Sequence, residues 1–151
     1  MTRFGVVALL LVLASCFGMR QGPGDLPTDF RREAPETGTF VFEGQEIHVW
    51  SQHRIDSMGP DAHGYYEFHY DYVVFDFSLG STKLLAKAYT DPPHEAHLIR
   101  IEEAGTDRFL EPGDLTTVLV RSALQYFRDQ GRTDLTWLDQ ANQLDGYSPV
   151  P

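Results

Sequence analysis

Aromatic side chains alternate with charged ones along Tyr65 to Leu79, YYEFHYDYVVFDFSL. Tyr66, Phe68, Tyr70 and Tyr72 share one side of an extended strand, because successive side chains point to opposite faces. With Trp50 nearby in sequence, they would give a sugar ring flat faces to stack on, or a partner protein an apolar patch. A tyrosine has an apolar body and a polar tip, which suits a face with one wet end. The same residues would serve as the buried face beneath a helix. Nothing in the sequence says which face a helix covers.

All six histidines fall between His48 and His97. His69 with Asp71, and His48 with Glu46, lie two apart and so share a strand face. Each pair would need at least one more ligand, brought by folding, to hold Zn²⁺. His94-Glu95-Ala96-His97 has a spacing of three, which converges only on a helix, whereas the alternation from His97 onward reads as strand. No metal and no other cofactor is expected. Ser51, Ser57, Ser78, Ser81 and Ser122 lack a nucleophile-elbow context, and neither a P-loop nor a dinucleotide fingerprint occurs. Glu67, His69, Asp71, Glu102 and Glu103 remain as acid–base groups, although alternating charges on a strand usually form a solvated face. No catalytic residue is assigned, and the chain is expected not to be an enzyme.

The elements that must position these residues follow from periodicity. Thr39 to Phe42 and Glu46 to Ile55 read as a hairpin joined at Glu43-Gly44-Gln45. Tyr65 to Leu79, Lys83 to Thr90 and Ala96 to Glu103 read as further strands. Within the first of these the apolar set shifts by one residue, from Tyr72 to Val73, which predicts a β-bulge near Tyr72 to Val74. Asp114 and Gly131 bracket Leu115, Val118, Leu119, Ser122, Ala123, Tyr126 and Phe127 at helical spacing. Thr133 to Leu138 is a short last strand. The expected class is α+β, a mainly antiparallel sheet of five to six strands with one amphipathic helix, about 114–130, on one face.

Arg3 precedes an apolar run from Phe4 to Ala14, 11 residues long. As a helix it spans about 16 Å at ~1.5 Å per residue, against the roughly 30 Å of a bilayer core. It reads as a signal segment. Leu13-Ala14-Ser15-Cys16, at its end, resembles the lipobox of bacterial lipoproteins. The resemblance covers residues 1–16 alone and implies cleavage before Cys16 and acylation of its thiol. Phe17 stands where an Asp would resemble the inner-membrane retention signal, which points to the outer membrane. Two or three acyl chains, at ~0.8 kcal/mol per buried methylene, would hold the protein firmly. The chain then divides into a signal peptide (1–15), a lipidated Cys16 with a flexible tether (16–38), one domain (39–139) and an irregular tail (140–151).

Without its signal the chain keeps 11 basic against 22 acidic residues, a net charge of −11. Such a domain is expected to bind no nucleic acid, and with Cys16 acylated it can form no disulfide. The leading expectation is a non-enzymatic envelope lipoprotein, tied to the membrane by its N-terminal lipid, that binds a protein or envelope partner. One version is an inhibitor or immunity-type protein for a basic partner. The alternative is a glycan-binding module, for example for peptidoglycan, using the aromatic strand 65–77. A metal-dependent or hydrolytic enzyme is the third.

Overall fold

The computed structural model describes residues 26–139 and 146–151. The signal segment, the lipobox and Cys16 lie outside the described residues. Nine strands form one mixed sheet: β1 (Thr28–Arg32), β2 (Glu36–Phe42), β3 (Gln45–Met58), β4 (Phe68–Leu79), β5 (Thr82–Tyr89), β6 (Glu95–Glu103), β7 (Thr106–Arg108), β8 (Asp134–Leu138) and β9 (Tyr147–Pro149). The order across the sheet is β1-β3-β4-β5-β6-β8-β9. β3 is 14 residues long, so two partners share its outer edge, β2 along Gln45 to Ser51 and β1 along Arg54 to Met58. Among the described strands only β6 and β8 run parallel. Parallel neighbours need a long crossover, and the helix α1 (Val118–Asp129) lies within it.

The helix covers one face. Ile47, Val49, Phe75, Phe77, Leu84, Leu98, Ile101, Leu135 and Trp137 from the strands are buried with Leu119, Val120, Ala123, Leu124 and Phe127 of α1. Phe127 meets Phe75 and Phe77 edge-on, with ring centres 5.2 and 5.6 Å away. Such contacts add to the burial of apolar area that holds the two layers together. Among the described residues no helix is long and apolar enough to cross a membrane.

The class is α+β in outline, with more strands than five or six and with a parallel pair. The additional strands are short or exposed. β1 and β2 take in residues expected within the tether, so the ordered sheet begins ahead of Thr39. β9 falls in the expected irregular tail and pairs with β8. β7 pairs with β6 across Ala104-Gly105. Edge strands like these are held by backbone hydrogen bonds with little burial, so they leave no apolar alternation to read.

The helix also starts later than expected. Pro112–Thr116 form a 3₁₀ turn, and Thr117 caps α1, its hydroxyl accepting from the Val120 N–H at 3.4 Å. Asp114 caps the turn instead: it accepts from the Glu111 N–H (2.7 Å) and takes two bonds from the Arg108 guanidinium (2.6 and 2.9 Å). A bidentate, charged donor is a stronger partner for a carboxylate than a lone helix N–H. At the other end Gly131, with φ of 81°, donates to the Arg128 carbonyl, and the Arg132 N–H donates to Phe127. This pattern closes a helix where only a residue tolerant of the left-handed region fits.

No bulge interrupts β4 at Tyr72 to Val74. Its register against β3 is continuous from Phe68, opposite Met58, to Ser78, opposite His48. The apolar set changes sides because β4 serves two faces: Val73, Phe75, Phe77 and Leu79 turn to the helix, and Phe68, Tyr70 and Tyr72 turn away from it. The register shift lies between β5 and β6, where Leu85 pairs with Arg100 and Ala86 with Leu98, leaving Ile99 as the extra residue.

Candidate functional site

The face opposite α1 has no cover among the described residues, and cross-strand pairing sets what it presents. One row runs Trp50, Asp76, Leu85, Arg100; the next runs Gln52, Val74, Lys87, His97; then come Arg54, Tyr72, Tyr89. Two open concavities of about 510 Å³ each adjoin here, and both are lined by Trp50, Asp76 and Lys83. Val74, Leu85 and Ile99 line the second.

Four of the five aromatic residues singled out in the sequence lie along this face. Trp50 and Tyr72 are half-buried and two rows apart, or about 14 Å along the strands at ~3.4 Å per residue. Phe68 and Tyr70 follow at the end of the same strip, with ring centres 5.7 Å apart and ring planes inclined by 21°. Tyr70 is 50% exposed. These side chains are therefore not the surface beneath the helix.

Tyr66, also 50% exposed, precedes β4 and belongs to the loop 59–67, with its ring 5.3 Å from that of His69. The loop is braced. Asp61 accepts from the His63 and Tyr65 N–H groups at 2.8 and 2.9 Å, and Gly59 donates to the Pro27 carbonyl at 2.8 Å. A Cβ at Gly59 would stand 2.7 Å from the Tyr66 backbone, which glycine alone avoids.

Polar groups fix the strip. The Tyr72 hydroxyl donates to Asp56 at 2.5 Å, and Arg32 pairs with the other Asp56 oxygen at 2.6 Å. Burial raises the Asp56 carboxyl, but the bonds from Tyr72 and Arg32 outweigh it and leave it below the usual range. Asp76 has no such donor, and burial pushes it up, against the pull of Lys83, Arg100 and Arg54.

Sequence reasoning missed the cations of this face and found no basic patch. Folding gathers Arg54, Lys83, Lys87 and Arg100 around the second concavity, against Asp76 and Glu102. Both lysines of the chain are among them. Their four-residue spacing, which puts both on one side of β5, was the available signal; Arg54 and Arg100 join them only through strand pairing.

The histidines take other roles. His53, on the helix-side face beyond α1, lies between Asp71 (2.6 Å to Nε2) and Glu33 (3.0 Å to Nδ1). Hydrogen bonds to Asp71 and Glu33 raise its pKa against the effect of burial. Thr90 donates to Asp71 at 2.7 Å rather than to the imidazole, so no hydroxyl is activated and the cluster joins Glu33, β3, β4 and the end of β5. Asp71 thus serves His53, not the pair with His69 that the sequence suggested. His97, on the open-face side, is buried against Tyr89 and Tyr147 with Nδ1 2.7 Å from the Thr136 hydroxyl. Burial lowers its pKa, with Lys87 adding to the shift and Glu95 opposing it. Among the described residues no three His, Cys, Asp or Glu side chains are grouped to hold a metal.

No protein-family model matches this chain, and no curated protein or solved structure matches it either. The residues themselves carry the functional reading.

Proposed function

We propose that this chain is a non-enzymatic binding lipoprotein of the bacterial cell envelope, anchored through Cys16, whose binding surface is the face of the sheet opposite α1. The observation that supports it most is the strip Trp50, Tyr72, Tyr70 and Phe68, left without a covering helix in a sheet whose other face packs against α1. An uncovered apolar surface of this kind usually marks a recognition site. The partner is a protein or another envelope component. An inhibitor-type partner of basic charge would meet the acidic surface outside the cation-bearing concavity.

Pull-down from envelope extracts tests the face. Trp50→Ala and Tyr70→Ala should each lower recovery of the partner at least tenfold with unchanged melting temperature; undiminished recovery ends the reading. The anchor is tested separately by labelling with a fatty acid in the host. Cys16→Ser should abolish incorporation, and label retained in that variant would refute the anchor.

The near-parallel rings of Phe68 and Tyr70 favour a second reading, stacking on a glycan such as peptidoglycan. Sedimentation with purified sacculi should then be lost in Tyr70→Ala. No sedimentation of the parent protein removes this version.

A further inference from the structure

We infer that the concavity beneath Trp50 and Tyr147 takes a small organic anion with an apolar or aromatic body, held by Arg54 and Lys87. The inference deepens the reading of the open face as the binding surface and rests on it. The space is about 510 Å³, inside the roughly 300–1,000 Å³ of small-molecule sites. Its floor is Val74, Leu85 and Ile99.

The cations are not alike. Lys83 pairs with Glu102 at 3.0 Å, and Arg100 with Asp107 at 3.1 Å. Arg54 and Lys87 have no carboxylate at ion-pair distance among the described residues. Arg54 Nε donates to the neutral Gln52 Oε1 at 3.0 Å. Asp56, its neighbour on the same side of β3, is held by Arg32 and Tyr72. Lys87 Nζ donates to the Tyr89 hydroxyl at 2.8 Å and stands 4.7 Å above that ring.

The chain carries 22 acidic against 12 basic residues, so spare carboxylates abound, yet among the described residues these two cations are bonded only to neutral groups beside an apolar floor. Charge interactions strengthen where water is partly excluded, and the complementary occupant is an anion whose body covers Val74 and Leu85. Asp76 stands in the row of Trp50 and Leu85, and burial raises its pKa against the pull of Lys83, Arg100 and Arg54. The acidic surplus elsewhere on the chain would repel an extended polyanion. A compact anion that fits between the walls escapes most of that repulsion.

Three probes with one aromatic body separate the outcomes: phenylacetate, phenylacetamide and 2-phenylethylammonium, titrated into the intact domain while the Trp50 indole N–H is followed by NMR. Trp137, 5% exposed in the core, serves as the internal control. Phenylacetate should bind at least tenfold more tightly than the amide, and the ammonium more weakly still. Arg54→Gln and Lys87→Met should each lower phenylacetate affinity about tenfold, one charge-assisted contact apiece, and leave the amide unchanged.

Equal affinity for all three probes at Trp50 would overturn the anion preference while leaving the open face as a binding surface. No movement of Trp50 with any probe would overturn the pocket itself; loss of partner recovery in Trp50→Ala is read independently of it. A double Arg54→Gln, Lys87→Met variant with parental melting temperature and parental phenylacetate affinity would also refute the assignment.

Discussion

The two faces of the sheet draw on the same residue types and differ in what lies over them. Leu84 and Leu85 are neighbours on β5. Leu84 is fully buried beneath α1, whereas Leu85 lies half-buried on the open side, between Asp76 and Arg100. Phe75 and Phe77 on β4 pack edge-on against Phe127; Phe68 and Tyr70, earlier on the same strand, stack on each other with solvent beside them. One strand therefore supplies both the core and the candidate site. The difference teaches that an apolar strand position tells of burial only once the covering element is known.

The contrast can be broken first at the phenylalanines. Phe77→Ala should cost about 3–5 kcal/mol, the usual loss for a fully enclosed ring, measured by urea unfolding. Phe68→Ala should cost less than about 1 kcal/mol on the same scale, since its ring already meets water. Equal losses would mean that the open face is also core.

The leucine pair gives the next effect. Leu84→Ala should cost roughly 2–5 kcal/mol and Leu85→Ala less than about 1, whereas phenylacetate affinity should fall only in Leu85→Ala. Asp114→Ala follows. It removes the carboxylate that holds Arg108 and the Glu111 N–H, and should cost about 2 kcal/mol in thermal or chemical unfolding. No measurable loss would show that the turn ahead of α1 holds without it.

The smallest effect is in pH, where the faces again oppose one another. His53, between Asp71 and Glu33 on the helix side, has a raised pKa in the fold. Its stabilisation is fully present below the unfolded value of about 6.5 and is lost as pH rises through the folded value. His97, buried on the open-face side, has a lowered pKa, so its burial costs stability as pH falls below about 6.5. Melting curves between pH 5 and 9 should respond accordingly: His53→Gln removes a decline on the alkaline side, and His97→Gln removes a decline on the acid side. A His53→Gln profile parallel to the parent would show that the ion pairs of His53 add nothing.

Several elements were legible because local spacing alone specifies them. β3, β4, β5, β6 and β8 announce themselves by two-residue alternation, and α1 by its three-and-four spacing and by Gly131. β1, β7 and β9 were not legible, since backbone pairing to a neighbour holds them. At the candidate site, Trp50, Phe68, Tyr70 and Tyr72 could be named from their types and alternation. The cations could not. Arg54, Lys87 and Arg100 are far apart in the chain, and only strand pairing brings them to one concavity.

The sequence by itself determined which residues alternate and so which share a side of β3, β4 and β5, because the two-residue period is a property of the extended backbone. In β6 the extra residue Ile99 breaks that period and brings His97 and Arg100 to one face. The sequence also set the excess of acid over base. Only the tertiary structure decided which side became core, because that choice depends on where the crossover between β6 and β8 lays α1. With the helix on the side of Phe75 and Phe77, the other side keeps Trp50, Tyr72 and two cations, Arg54 and Lys87, that have no carboxylate partner among the described residues.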